Sequence, residues 1–265
     1  NVVLLFEPAE ETVGGARFMI EEGVLENPHV DAVIGLHVDD SSKCGTIGVK
    51  SGVMNVASNT FVIKIKGKGS HGAYPHMGID PIIISCNVIN TLQTLVSRET
   101  SPTEPVALTV GSIHGGTVDN VIPDEVEIKG TIRTLSSNHR RVMETRLREV
   151  VEGVTTAMRG KAEIEIVEGY PCLINDDSMT KFLCKTASEI IGEDKIIKLE
   201  HPGLGVESFA YFSMERPSVY YTLGCRNEEK GIIYPLHNSL FDIDEDCLPL
   251  GAALQALLAY RFLKG

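Results

Sequence analysis

The sequence predicts an α/β protein with a mostly parallel sheet, interrupted by an inserted ferredoxin-like α/β sandwich. Three observations lead there. Residues 2 to 38 read as strand, helix, strand, and both strands are apolar on both faces, as strands of a covered parallel sheet are. Between about residues 57 and 168 the strands instead alternate apolar and polar, and the elements run in the βαββαβ order of a split-βαβ fold. After that, helices and a strand of the first kind return. The expected boundaries are therefore 1–56 and 169–265 for a main domain in two parts, and 57–168 for the insert.

Each element has its own signal. Val2-Val3-Leu4-Leu5-Phe6 is a buried-looking strand. A helix follows from about Gly14 to Glu22, with Ala16, Met19 and Ile20 as its apolar stripe and Gly23 as its C-terminal stop. Ala32-Val33-Ile34-Gly35-Leu36 is a second strand, ending in His37. A right-handed βαβ unit puts Glu10-Glu11 and His37 on one sheet edge, the edge at which open α/β sheets bind ligands. In the insert, strands are expected at 60–66, 106–110, 126–132 and 162–166. Its helices are expected over 82–99, opened by Asp80-Pro81, and from Ser137-Asn138 to about Met158. Helices at 179–191, 208–214 and 248–263 and a strand at 219–223 complete the chain.

Composition narrows the function. The chain has 265 residues and a formal net charge of -12, which disfavours nucleic acid and anionic membrane as partners. Its apolar runs are strand-length, so no transmembrane helix is expected. Six scattered cysteines without a C-x-x-C pair read as free thiols in a reducing cytoplasm.

The chemistry starts at Glu10-Glu11. Adjacent carboxylates at the exit of an apolar strand repel each other and lose hydration, so a cation is wanted, and a bound metal is the strongest candidate. His37 and His237 add imidazoles, and carboxylate with imidazole is the ligand set of a zinc-type hydrolytic site. One carboxylate of such a pair binds metal while its neighbour takes and returns a proton. A solvated loop is the plainer alternative for the doublet, and an exposed loop histidine for His237. His71 lies in the Gly-rich run Gly67 to His76, which a flexible turn explains equally well. Asn120 is equally ambiguous. Arg133 suits either a substrate carboxylate held by two hydrogen bonds or a surface salt bridge. A G-x-S-x-G elbow and a P-loop are both missing.

Together, Phe6-Glu7-Pro8-Ala9-Glu10-Glu11, Gly35-Leu36-His37-Val38, Gly69 to His76, Asn120-Val121-Ile122-Pro123, Gly130-Thr131-Ile132-Arg133 and Leu236-His237 occur in the order seen in M20 metallopeptidases. The chain resembles the amidohydrolase branch of that family, which includes hippurate hydrolases and N-acyl-amino-acid deacetylases. The resemblance implies a zinc-peptidase-like catalytic domain with an inserted lid and dimerisation domain. It implies an aminoacylase-type enzyme that cleaves the amide of N-acetyl or N-benzoyl amino acids through metal-bound hydroxide. Glu10 is the implied general base and acid. Glu11, His37 and His237 are implied ligands of two divalent ions, among zinc, manganese, cobalt and nickel. His71 is implied to polarise the scissile carbonyl, reaching a partner's site in a homodimer, and Asn120 and Arg133 to bind substrate.

Two departures stand out. Family members carry an earlier segment with Asp-x-Asp and Cys-Gly-His-Asp-x-x-His motifs, and neither occurs in this sequence. The chain is therefore expected to be part of a longer enzyme and inactive by itself, the alternative being a catalytically incomplete binding or dimerisation module. The second is Glu207-Ser208-Phe209, where the family commonly has Glu-Asp-Phe.

Overall fold

The computed structural model describes residues 1–265. In chain order the elements are α1 (Gly15–Glu21), β1 (Val33–Lys43), β2 (Ile47–Val49), β3 (Gly52–Asn55), β4 (Ala57–Lys66), β5 (Ser70–His71) and α2 (Pro81–Thr94). Next come β6 (Ala107–Gly115), β7 (Val121–Ile122), β8 (Glu125–Thr134), α3 (Ser137–Ala157), β9 (Lys161–Glu168) and β10 (Leu173–Asn175). The chain ends with α4 (Asp177–Ile191), β11 (Ile196–Lys198), α5 (Ala210–Glu215), β12 (Ser218–Arg226) and α6 (Cys247–Lys264). It forms two compact units, one of residues 1–55 with 173–265 and one of residues 56–172.

The first unit is built on a four-stranded sheet in the order β1-β12-β2-β11. β1 pairs with β12 and β2 with β11 in parallel, while β12 meets β2 antiparallel. β12 explains its own apolar sequence. Val219, Tyr221, Leu223 and Cys225 join Met179, Leu183 and Ala187 of α4 and Leu254 and Leu258 of α6. Tyr220 joins the second core with Ala16, Val33, Phe209 and Phe212. A strand covered on both sides has no face left to be polar. Asp176 caps α4, accepting from the N–H groups of Ser178 and Met179 at 2.9 Å.

Two expectations fail in this unit. Val2 to Phe6 form no strand, and no strand of the sheet pairs with them. Leu5 alone of this run packs against a core, whereas Leu4 is 73% and Phe6 83% exposed. An apolar run becomes a strand only when a neighbour takes up its backbone N–H and C=O groups, and none does here. His37, expected at a strand end, sits inside β1, opposite Thr222 of β12, because the ladder continues past it to Asp39 and Lys43.

The second unit is a four-stranded antiparallel sheet in the order β6-β8-β4-β9. Counting only these strands along the chain, the spatial order is second, third, first, fourth. Alternation in β4 and β8 sends Phe61, Ile63, Ile65, Val126, Ile128 and Ile132 into one core with Ile84, Val88 and Leu92 of α2 and Met143, Leu147 and Val151 of α3. Lys64, Lys66, Glu127 and Lys129 alternate with those residues and take the other face. Asp80 caps α2 through the Ile82 N–H at 2.9 Å, with Pro81 in the first turn. α2 passes into a π-helical turn over Leu95–Glu99. The chain enters and leaves side by side, Ser58 and Tyr170 being joined N–H to carbonyl at 3.1 Å and Gly169 to Ser58 at 2.9 Å.

Candidate functional site

Glu10 and Glu11 sit on a tight turn. The Ala9 carbonyl accepts from the N–H groups of Thr12 at 3.2 Å and Gly14 at 3.0 Å, and Ala9 itself adopts φ 57. The turn folds back so closely that a Cβ on Gly15 would lie 2.2 Å from the Pro8 carbonyl oxygen, so only glycine fits. Glu7 closes the structure by accepting from the Ala16 N–H at 2.8 Å.

A segment distant in sequence completes this site. Ser208 donates its N–H to Glu10 Oε1 at 3.2 Å and its hydroxyl to Glu7 Oε1. Glu207 accepts from the Phe209 N–H at 3.1 Å and from the Tyr220 hydroxyl. The segment is seated on β1 by Phe209, whose ring occupies the space a Cβ on Gly35 would need, 2.7 Å away. Glu7, Glu10 and Glu207 thus gather around one buried serine. Burial raises the Glu10 carboxyl above its ordinary range, helped by Glu207, Glu11 and Glu7, with the Ser208 N–H opposing. The Tyr220 hydroxyl is pushed far up by burial and by Glu207, so it stays a donor.

Two of the candidate histidines belong to the same unit. His37 Nδ1 lies 2.7 Å from the Val38 carbonyl oxygen, which only accepts, so Nδ1 is the donor of this bond. His237 has φ 64, in the left-handed region that a non-glycine residue rarely occupies. Its turn is tied to β1 by the Asp40 carboxylate, which accepts from the Leu236 N–H. The two histidines are therefore carried by linked segments. Glu11 is exposed, and no group of three or more His, Cys, Asp or Glu side chains is placed to hold a metal ion.

In the second unit, His71 and Asn120 come together. β5 pairs with β7, His71 opposite Val121, and the Gly72 N–H donates to the Asn120 carbonyl at 2.7 Å. His71 Nδ1 accepts from the Ala73 N–H at 3.1 Å, which leaves Nε2 as the protonated nitrogen of the neutral ring. Arg133 is elsewhere. It sits opposite Ser58 at one end of the β4–β8 ladder, whereas the strands bearing His71 and Asn120 leave from the other end, near Lys66 and Glu125. Eight residues of strand separate Arg133 from Glu125, or about 27 Å.

Sequence reading names Glu10 and Glu11 but gives no role to Glu7 or Glu207, which help to set the environment of Glu10. Glu7, Glu207 and Tyr220 are ordinary in local pattern, and nothing in spacing joins residues 198 apart. Ser208 stands out in the sequence only as a departure from Glu-Asp-Phe, and its burial together with Phe209 and Ala210 is visible only in the fold.

Comparisons with known proteins agree on one family. The model described as peptidase family M20/M25/M40 matches residues 1–261. Thermostable carboxypeptidase 2 of Saccharolobus solfataricus is 39% identical over 265 residues, covering 99% of this chain and 66% of that protein. An N-acetyl-L-cysteine deacetylase of Bacillus subtilis is 38% identical over 249 residues, covering 94% of this chain and 57% of that protein. The crystal structure of a dinuclear metal-binding M20 peptidase from Bacillus subtilis matches with TM-score 0.79 at 28% identity, over 98% of this chain and 64% of that one. The chain thus spans two thirds or less of the length of these relatives.

Proposed function

The chain belongs to peptidase family M20/M25/M40, and from that premise we propose that it contributes to a metal-dependent amidohydrolase acting on N-acyl amino acids. The observation that carries this reading is Glu10. Its carboxyl is partly buried, sits among three other glutamates and is shifted toward keeping a proton, as a group that takes a proton from water and delivers it to a leaving amine needs to be. Such a group suits the proton transfers of hydrolysis.

The donor chemistry of Glu11, His37 and His237 suits a divalent ion such as zinc, manganese, cobalt or nickel, and with Nδ1 engaged on the Val38 carbonyl, Nε2 is the His37 nitrogen that would hold it. When bound, such an ion supplies Lewis acidity toward water and the amide carbonyl. The remaining roles fall to the chain's own groups. Arg133 binds the α-carboxylate through its guanidinium, Asn120 orients the acyl amide, and His71, protonated on Nε2, donates to the carbonyl oxygen. A carboxypeptidase and an N-acyl-amino-acid deacylase cut the same kind of bond, an amide on the nitrogen of an amino acid with a free carboxylate, so Arg133 serves either specificity.

The unit of residues 56–172 is read as a ferredoxin-like lid and dimerisation domain. Arg133 lies at one end of the β4–β8 ladder and the His71–Asn120 ribbon leaves from the other, about 27 Å of strand away, which exceeds the length of one N-acyl amino acid. One substrate molecule meets both only if they come from different copies, which favours a homodimer. The test is turnover of an N-acyl-amino-acid panel by the full-length protein, with metal content measured alongside. Glu10→Gln is expected to lower kcat by about 10²–10⁴-fold with bound metal unchanged. Near-normal turnover in that variant would overturn the role given to Glu10. A wild-type protein with neither metal nor turnover would favour the binding-module reading.

A further inference from the structure

We propose that Ser208 and Glu7 form a positioning pair for Glu10, in which only one of positions 7 and 208 can carry a carboxylate. The inference rests on the reading of Glu10 as the proton-transfer group. Ser208 has no solvent exposure, and both of its donors are used on glutamates. Its N–H holds Glu10 Oε1 at 3.2 Å, and its hydroxyl is spent on Glu7. Glu7 in turn accepts from the Ala16 N–H at the start of α1, immediately after the turn that bears Glu10. The Glu7–Ser208 hydrogen bond therefore ties segment 207–209 to the frame of the Glu10 turn, and sets where the Ser208 N–H meets the Glu10 carboxylate.

The polarity of that bond is what makes the pair specific. Glu7 is an acceptor on both of its contacts, so its partner at 208 must donate. Aspartate at 208 would bring a buried carboxylate against Glu7 and beside Glu10 and Glu207, with no donor between them. The conflict disappears if position 7 becomes an amide. Both of the present bonds use Glu7 Oε1. A glutamine keeps that oxygen for the Ala16 N–H and sets an NH₂ in the place of Oε2, where the longer aspartate side chain can accept from it and the bridge forms with its direction reversed.

The experiment is a double-mutant cycle in the full-length protein, reading kcat, KM and melting temperature for Ser208→Asp, Glu7→Gln and the double variant, with Ser208→Ala alongside. Ser208→Asp is expected to lower kcat at least about tenfold and to lower the melting temperature, and adding Glu7→Gln to restore most of both. Ser208→Ala is expected to lower kcat with KM nearly unchanged, since it loosens the group that acts in the transition state rather than a substrate contact. A double variant as impaired as Ser208→Asp, or a Ser208→Ala variant with wild-type kcat, would overturn the pairing. Failure of the underlying reading looks different. Glu10→Gln would then retain turnover, while the melting temperatures of the cycle would still report whether positions 7 and 208 are coupled.

Discussion

Ala9 and His237 are two of the three non-glycine residues with positive φ, Arg159 being the third. Both hold positive φ, at 57 and 64, where a Cβ crowds the neighbouring backbone, and one precedes Glu10 while the other is itself a proposed ligand. The turn between Pro8 and Gly15 leaves no slack to relieve this. Gly15→Ala is expected to lower stability by about 1–3 kcal/mol, because its methyl meets a backbone carbonyl rather than a yielding side chain. Urea unfolding checks it, and wild-type stability would mean that α1 retreats freely from Pro8. At this scale the sequence was informative wherever adjacency carried the signal. Glu10-Glu11 announces a carboxylate pair without help from any fold. Ser208 and Glu207 carry no such mark, since their effect on Glu10 exists only once β1, Phe209 and Gly35 have brought the segments together.

Elements were legible in proportion to how much of their stability is local. The alternating strands β4, β8 and β9, the capped helices α2, α3 and α4 and the terminal α6 all fall where periodicity and capping residues put them. The two- and three-residue strands β2, β5, β7, β10 and β11 have no period to read and exist through pairing alone. Val2 to Phe6 show the converse, a strand-like pattern with no partner. The segment before α6 is held by charge. Asp244, 2% exposed, accepts from Lys230 at 2.6 Å and from Asn227 at 2.6 Å. Lys230 and Asn227 pull its carboxyl down to about 2. A carboxylate with a depressed folded value stabilises the protein above its unfolded value, roughly 3.9, and loses that contribution as pH falls through about 2. Lys230→Met is therefore expected to move acid unfolding to higher pH, followed by circular dichroism. An unchanged acid transition would show that the ion pair adds nothing.

For the molecule as a whole, the two units differ in how self-contained they are. Residues 56–172 have one continuous core, from β4, β8, α2 and α3, and ends that meet through Ser58, Gly169 and Tyr170. Expressed alone, residues 56–172 are expected to melt cooperatively, and a broad, non-cooperative transition in calorimetry would contradict this. Residues 1–55 and 173–265 make one unit only by returning to each other, β1 with β12 and β3 with β10. No helix is long and apolar enough to cross a membrane. By itself the sequence determined the α/β class, most helices and long strands, and the residue types that bear on hydrolysis, because propensity, periodicity and adjacency act over a few residues, while the order of its motifs carried the resemblance to the family. Only the tertiary structure decided that Val2 to Phe6 are unpaired, that His71 joins Asn120 but not Arg133, and that Ser208 bridges Glu7 and Glu10. Those outcomes depend on which distant backbones meet, and a one-dimensional pattern carries no record of that.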